Sequence, residues 1–152
     1  MDVALIHRSR IEAALAHLRG CLPRTGTELA QADYPVIASI ELLTSRFGKL
    51  QDHLGGQLVP LALELGAEPL PPAATFLDRL LLLEKRRILP SVVECRRLRE
   101  LRNELAHDYP DDPDEAAAAL AIVVAAVPSL LTIEAALRTH IEGLVARGAA
   151  DA

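Results

Sequence analysis

Aromatic residues are scarce in this chain, which has two Tyr, two Phe and no Trp among 152 residues. β-Sheets are enriched in aromatic and β-branched residues, so this composition disfavours a sheet protein. Alanine and leucine, which are good helix formers, are abundant instead, and no stretch of any length alternates between polar and apolar residues. The sequence therefore predicts an all-α fold, an antiparallel up-and-down bundle of about five helices that forms a single domain over residues 1–152.

Cysteine is almost absent as well, since Cys21 and Cys95 are the two present. They lack the paired spacing of a metal site or disulfide framework and are expected to be buried thiols in a reducing compartment. The histidines are scattered without ligand spacing, and Asp111, Asp112 and Asp114 fit helix capping and turn formation better than metal binding. The sequence predicts neither a metal nor a cofactor.

No apolar run of about 18 residues is free of both charge and proline. The Ala-rich stretch from Ala116 to Val127 ends at Pro128 and is predicted to be a buried helix. The N-terminal segment is too short and too polar for a signal peptide. We expect a cytoplasmic protein without a membrane span.

Proline, glycine and capping residues predict where the helices begin and end. Pro128 is expected to kink the last helix. The predicted helices run from Val3 to Leu18, from a cap at Asp33 to Gly55 and Gly56, from about Thr75 to Leu89, from a cap at Ser91 to just before Pro110, and from a cap at Asp112 onwards. A short apolar segment is predicted between Leu58 and Leu65.

Charge is distributed unevenly along a chain whose net charge is −5, which argues against a general polyanion binder. Between Lys85 and Arg102 there are seven basic residues and two acidic ones, whereas Asp108 to Glu115 holds five acidic residues and no basic one. A local positive face can bind an anion even on an acidic protein.

The end of the predicted fourth helix combines an apolar stripe with a polar face. At about 100° per residue, its leucines at positions 98, 101 and 105 form a seam towards the core. Asn103 and His107 share the roughly opposite face, which Arg96 and Arg99 continue towards the N-terminus, and Arg102 lies at the edge of the seam. Such a surface suits a phosphate, because it offers hydrogen-bond donors and one group that can move a proton near neutral pH.

A helix end explains the same residues without chemistry. A histidine in the last turn interacts favourably with the helix dipole, and an Arg-rich face is usually solvated. Other polar residues are open to both interpretations, either as contributors to a site or RNA track or as solvated helix faces and ends. They are Glu41, Arg46, Lys49, Asp52 with His53, and the run Lys85, Arg86, Arg87.

The segment R-N-E-L-A-H-D-Y, from Arg102 to Tyr109, resembles the R-x4-H-x-Y signature of HEPN domains. The resemblance is strongest to the toxins that pair with small MNT nucleotidyltransferase antitoxins. The segment from Arg46 to Asp52, R-F-G-K-L-Q-D, is similar to the second helix of these toxins, though less distinctive.

The resemblance implies a metal-independent RNase with Arg102 and His107 as the catalytic pair and Asn103 as their polar neighbour. Tyr109 would be the residue that the antitoxin modifies with AMP. Arg96 and Arg99 are the expected RNA contacts. A homodimer whose two Arg/His pairs meet in an interface cleft is implied as well. Two alternatives remain: a catalytically silent HEPN module that presents a nucleotide or substrate to a nucleotidyltransferase, and a plain helical dimerisation protein.

Overall fold

The computed structural model describes residues 3–66, 70–107 and 111–150, with Ala106 and His107 described by their backbone alone. These ranges contain helices and no strand, which confirms the all-α bundle. Five helices have ten residues or more, in agreement with the predicted number. The elements are α1 (Val3–Leu18), α2 (Gly26–Ala30), α3 (Tyr34–His53), a π-helical turn (Leu54–Leu58), α4 (Val59–Leu65), α5 (Phe76–Lys85), α6 (Val92–His107) and α7 (Pro113–Ala150).

Helices α1 and α3 pack against each other and supply much of the core. The bounds predicted for α1 are confirmed, and Asp33 caps α3 by accepting a hydrogen bond of 3.1 Å from the backbone N–H of Val36. Ile11 on α1 and Phe47 on α3 are completely buried. This pairing fixes the face of α3 that is left for α6.

Helix α3 ends at His53, two residues before the stop predicted at Gly55 and Gly56, but the chain does not leave the helical path there. The chain continues through the π turn into α4, and the N–H of Val59 donates to the carbonyl of Leu54, five residues earlier. Pro60 explains the wider turn, because proline lacks an N–H and its ring clashes with the carbonyl four residues earlier in a regular α-helix. Burial of Leu54, Leu58 and Val59 keeps this segment on the core in spite of the two glycines.

Helix α5 is shorter than predicted. Thr75 and Asp78 form the expected start, a reciprocal capping box, but the helix ends at Lys85 and Arg87 adopts a φ of 58°. The turn there lets Leu89 enter the core, where it is 2% exposed. The cap predicted for α6 is confirmed, since the hydroxyl of Ser91 accepts a hydrogen bond of 3.2 Å from the backbone N–H of Glu94.

The short helix α2 lies where the sequence predicted only a break. Its backbone approaches the start of α7 so closely that the Gly26 N–H donates to the Asp114 carboxylate at 2.5 Å. A Cβ at Gly26 would lie 2.6 Å from the backbone nitrogen of Asp114, so only glycine fits. Asp112 caps α7 as predicted, by accepting from the N–H groups of Asp114 and Glu115. Asp114 therefore joins two helices, beyond the capping and turn role predicted for it.

Helix α7 remains helical through Pro128, and the kink predicted there stays a prediction. Its glutamate Glu134 is completely buried and is held between two arginines, Arg8 of α1 at 2.8 Å and Arg138 at 2.9 Å. A buried carboxylate requires such partners, because an unpaired one carries a large desolvation penalty. The pairing fastens α1 to the middle of α7.

Among the described helices, α7 is long and apolar enough to cross a membrane, judged by length and composition alone. Within its most apolar stretch 44% of the residues are buried inside the bundle, and the core helix of a soluble protein gives the same signal. The predicted burial of the stretch between Ala116 and Val127 is confirmed at Leu120 and Val123, among others. The fold is compatible with a soluble protein.

Candidate functional site

The sequence-predicted motif lies on the C-terminal half of α6. Leu98 and Leu101 of its predicted apolar seam are buried and Leu105 is half-buried, whereas Asn103 is exposed on the other side. The orientation predicted for this helix is therefore confirmed at Asn103. The polar face is available for contacts outside the core.

Arg102 lies at the edge of the seam, as predicted, and its side chain reaches across to α3. Its Nη2 donates to Oδ2 of Asp52 at 2.8 Å, and its Nη1 donates to Oδ1 of Asn103 at 3.3 Å. The hydrogen bond that Arg102 donates to Asp52, and then the negative charge of Asp52, raise the pKa of Arg102 above its ordinary value. The guanidinium is thus charged and held in one position, while 30% of its side chain remains exposed.

A groove of about 700 Å³ runs between α3 and α6, and we call it the α3–α6 groove. Its apolar lining includes Ile37 and Ile40 of α3, and its polar lining combines the cations Lys49 and Arg102 with carboxylates. The complete lining is Leu29, Ile37, Ile40, Glu41, Thr44, Ser45, Gly48, Lys49, Asp52, Arg102 and Leu105. The groove offers an apolar wall beside two cations, with no net charge from its four ionised side chains.

A second depression, of about 460 Å³, lies on the other side of Arg102, and we call it the Phe76 groove. The guanidinium of Arg99 lies over the ring of Phe76, 4.9 Å from its centroid, which is a cation–π distance. The lining consists of Gln51, Asp52, Gly55, Gly56, Phe76, Arg99, Arg102 and Asn103. Arg102 and Asp52 therefore separate the two grooves and belong to both.

The predicted site residues are only partly brought together. Arg99, Arg102 and Asn103 line the Phe76 groove, whereas Arg96 is exposed on α6 and lines neither groove. His107 is the last residue of α6, five positions after Arg102 and so about 7.5 Å further along the helix axis. The side chain of His107 and the whole of Tyr109 lie outside the described residues.

The residues of α3 that the sequence left open divide between two faces. Glu41, Lys49 and Asp52 line the α3–α6 groove. Arg46 points to α1 instead, where its Nη1 lies 3.4 Å from Nδ1 of His7. The segment from Arg46 to Asp52 thus serves both the groove and the contact with α1.

Two features of the site were not predicted. Asp52 was expected to be a polar helix end, with only a possible approach to the site, and it proves to be the direct partner of Arg102. Phe76 was assigned only to a helix, and it forms the floor under Arg99. Both contacts join residues that are far apart in sequence, so no local spacing could indicate them. Within the described residues, no group of three His, Cys, Asp or Glu side chains could hold a metal ion.

Comparison of the chain with protein-family models, with curated proteins and with solved structures finds no match.

Proposed function

We propose that this protein is a cytoplasmic, metal-independent endoribonuclease toxin of the HEPN/MNT type, with Arg102 and His107 as its catalytic pair. The observation that carries the proposal is the placement of Arg102. It is a charged guanidinium fixed between two grooves, beside the exposed Asn103 and one and a half turns before His107 on the same helix. A phosphodiester lying across this boundary would meet the guanidinium of Arg102 and the amide of Asn103.

The contact between Arg102 and Asp52 is compatible with substrate binding. The Asp52 side chain is 56% exposed, and exposed ion pairs of this kind contribute only about 0.2–1 kcal/mol. A phosphate offers Arg102 a bidentate, charge-assisted partner and can therefore displace or share the guanidinium. Asp52 holds Arg102 in position while the groove is empty.

The proposed reaction uses the RNA's own 2′-hydroxyl as the nucleophile. His107 takes the proton of this hydroxyl, or an imidazole donates one to the leaving 5′-oxygen. The bond from the 2′-oxygen to phosphorus forms as the bond to the 5′-oxygen breaks. Arg102 stabilises the negative charge that develops on the phosphoryl oxygens, and Asn103 provides a further polar contact. The products are a 2′,3′-cyclic phosphate and a 5′-hydroxyl, with no metal and no covalent enzyme intermediate.

The proposal includes two protein partners. A second copy of the chain would bring the two Arg/His pairs together in one cleft. A cognate MNT nucleotidyltransferase would act as antitoxin and transfer AMP to Tyr109. Because Tyr109 follows His107 by two residues, an added AMP group would put negative charge and bulk next to the catalytic pair.

Induced expression in a bacterial host tests the toxin assignment. We expect the parent chain to arrest growth, and the variants His107→Ala and Arg102→Gln to permit it. Arg97→Gln is the matched control, because Arg97 lies on the same helix and pairs with Glu94 at 2.6 Å, away from both grooves. Growth arrest that persists in His107→Ala at equal protein level would contradict the assignment.

The silent HEPN module is the second candidate, and the carboxylates of the site favour it. Glu41 and Asp52 both line the α3–α6 groove, and they disfavour a long RNA strand more than a single nucleotide. This alternative predicts stable overproduction without growth arrest, together with nucleotide binding that depends on Arg102. A plain dimerisation protein predicts neither growth arrest nor nucleotide binding.

A further inference from the structure

A second group of basic side chains lies where α1 packs against α3. His7 and Arg10 come from α1, and Arg46, Lys49 and His53 come from α3. The spacing of three and four residues between the α3 members puts them on one side of that helix. We call these five residues the His7 cluster.

One donor of Arg46, at the centre of this cluster, lacks an acceptor. Its Nε is buried and has no hydrogen-bond partner within the described residues, and its Nη1 lies 3.4 Å from Nδ1 of His7. A buried donor left unsatisfied destabilises the fold, and more so when the group is charged. The site therefore has a donor without its acceptor.

Among the described residues, the charges that act on the pKa of His7 are all positive. Burial lowers the pKa of His7 first, followed by the charges of Arg46, His53, Lys49 and Arg10. None of the five forms an ion pair with a carboxylate in the part of the chain that the structure describes. A concentration of positive charge without counter-charge, around a buried free donor, suits an anion.

We propose that the His7 cluster binds a backbone phosphate of the RNA substrate, at a position away from the bond that is cleaved. This inference rests on the proposed RNase function for the identity of the anion. Lys49 connects the two regions, because it lines the α3–α6 groove beside Arg102 while its charge acts on His7. Asp52, which pairs with Arg102, is followed directly by His53 of the cluster. An RNA strand that leaves Arg102 can therefore reach the His7 cluster by crossing α3, since a helix with its side chains is about 10 Å wide.

The phosphate contributes the acceptor that Arg46 lacks and reverses the electrostatics at His7. Its oxygens accept from the guanidinium of Arg46 and from the ammonium of Lys49. Its negative charge stabilises the protonated imidazole, so binding raises the pKa of His7 from its lowered value. If Arg46 had only a structural role, addition of the RNA would leave the pKa of His7 unchanged.

The test uses a 12-nucleotide 2′-O-methyl RNA, which lacks the nucleophilic hydroxyl and is not cleaved. We expect Arg46→Gln and Lys49→Gln each to weaken its binding and to lower the slope of log K against log salt by about 0.7, the release expected for one single-strand phosphate contact. Lys49 is exposed, so its variant keeps the test valid if Arg46→Gln unfolds. Arg24→Gln is the control, because it removes the same charge from the loop before α2.

Histidine NMR supplies the second measurement. The pKa of His7 should rise when the 2′-O-methyl RNA is added to the parent protein, and it should rise less in Lys49→Gln. A parallel titration replaces the RNA with inorganic phosphate and measures the pKa of His7 in the same way. If phosphate produces the whole His7 shift and the RNA adds no affinity through Arg46, the cluster is an anion site and not part of an RNA track, which overturns the inference.

The inference and the proposed function can fail separately. If the protein cleaves RNA through His107 but Arg46→Gln and Lys49→Gln bind the 2′-O-methyl RNA as Arg24→Gln does, the His7 cluster has no role in binding. If the RNA binds through Arg46 and Lys49 but no RNA is cleaved, the contact is real and the RNase assignment is wrong.

Discussion

Arg102 derives its position from one carboxylate that its own sequence neighbourhood does not reveal. Asp52 lies 50 residues earlier, and its bond to Nη2 sets the direction in which the guanidinium points. The pair is exposed enough that it adds little to the stability of the fold. Its effect is on orientation, which matters because a misplaced catalytic group loses much of its rate advantage.

The Asp52→Asn variant distinguishes two effects of Asp52, the orientation of Arg102 and the negative charge that Asp52 places in the groove. We expect KM for RNA to fall, since a negative charge leaves the groove, and kcat to fall about tenfold, or about 1.4 kcal/mol, because Arg102 is no longer fixed. The free energy of unfolding should change by less than about 1 kcal/mol. Steady-state cleavage of a fluorescent RNA measures both constants.

Glu142→Gln provides the control for the changes in KM and kcat that we expect in Asp52→Asn. Glu142 is an exposed carboxylate that pairs with Arg138 at 3.1 Å, and it lines neither groove. Its variant should retain the kcat of the parent protein. A variant Asp52→Asn with unchanged kcat would show that Arg102 needs no help from Asp52.

The two cysteines should differ sharply in reactivity. Burial raises the pKa of the Cys95 thiol to about 12, helped by the charges of Glu94 and Glu84, whereas Cys21 is exposed. The thiolate is the reactive form, so at pH 9 only about one Cys95 thiol in a thousand is ionised. Because the folded pKa lies above the unfolded value, this burial contributes stability below the unfolded pKa and loses it as the pH rises towards 12.

A short iodoacetamide pulse at pH 9, read by peptide mass spectrometry, checks this expectation. The native protein should carry an adduct at Cys21 and almost none at Cys95. In denaturant, Cys21 and Cys95 should be labelled by iodoacetamide to the same extent. Native labelling of Cys95 at the rate of the unfolded chain would mean that the thiol is not buried in solution.

At the scale of the secondary-structure elements, the sequence predicts those features that depend on residues close together in the chain. The caps at Asp33, Ser91 and Asp112 and the apolar seam of α6 are all local patterns, and the structure confirms them. The π-helical turn that carries the chain from α3 through Gly55 and Gly56 into α4 escaped prediction, because burial of the leucines around the glycines outweighs their local cost. The salt bridge from Arg102 to Asp52 escaped prediction for the same kind of reason, since packing of α6 on α3 creates it.

The close contact of α2 with α7 gives a prediction about elements. In Gly26→Ala the new Cβ would lie 2.6–2.8 Å from three atoms of Pro113 and Asp114, two of them backbone, so the two helices must separate. We expect a loss of about 1–3 kcal/mol, as for other overpacked contacts. Urea unfolding followed by circular dichroism measures it.

Gly143→Ala is the matched substitution with the opposite expected sign. A Cβ at Gly143 meets only the end of the Arg147 side chain, at 3.6 Å, inside a regular helix. Alanine should therefore stabilise α7 by about 0.5–1 kcal/mol. Equal effects of the two substitutions would show that α2 does not press on α7 in solution.

At the scale of the whole molecule, the net charge is negative and the basic side chains are concentrated in patches. The net charge is −5, yet positive side chains gather in the His7 cluster between α1 and α3 and at Arg99 and Arg102 of α6 beside the Phe76 groove. Patches of this kind attract phosphate locally, and the rest of the surface repels long nucleic acid. RNA binding should therefore be weak at physiological salt and should strengthen as the ionic strength falls.

Cleavage of RNA by the purified protein in EDTA is the most direct test of the roles proposed for Arg102 and His107. The parent protein should cut a mixed-sequence RNA into fragments with 2′,3′-cyclic phosphate and 5′-hydroxyl ends, and Arg97→Gln should do the same. His107→Ala should abolish cleavage while its circular dichroism spectrum and melting temperature stay those of the parent. Cleavage by His107→Ala at the parental rate, or no cleavage by the folded parent protein, would contradict the account.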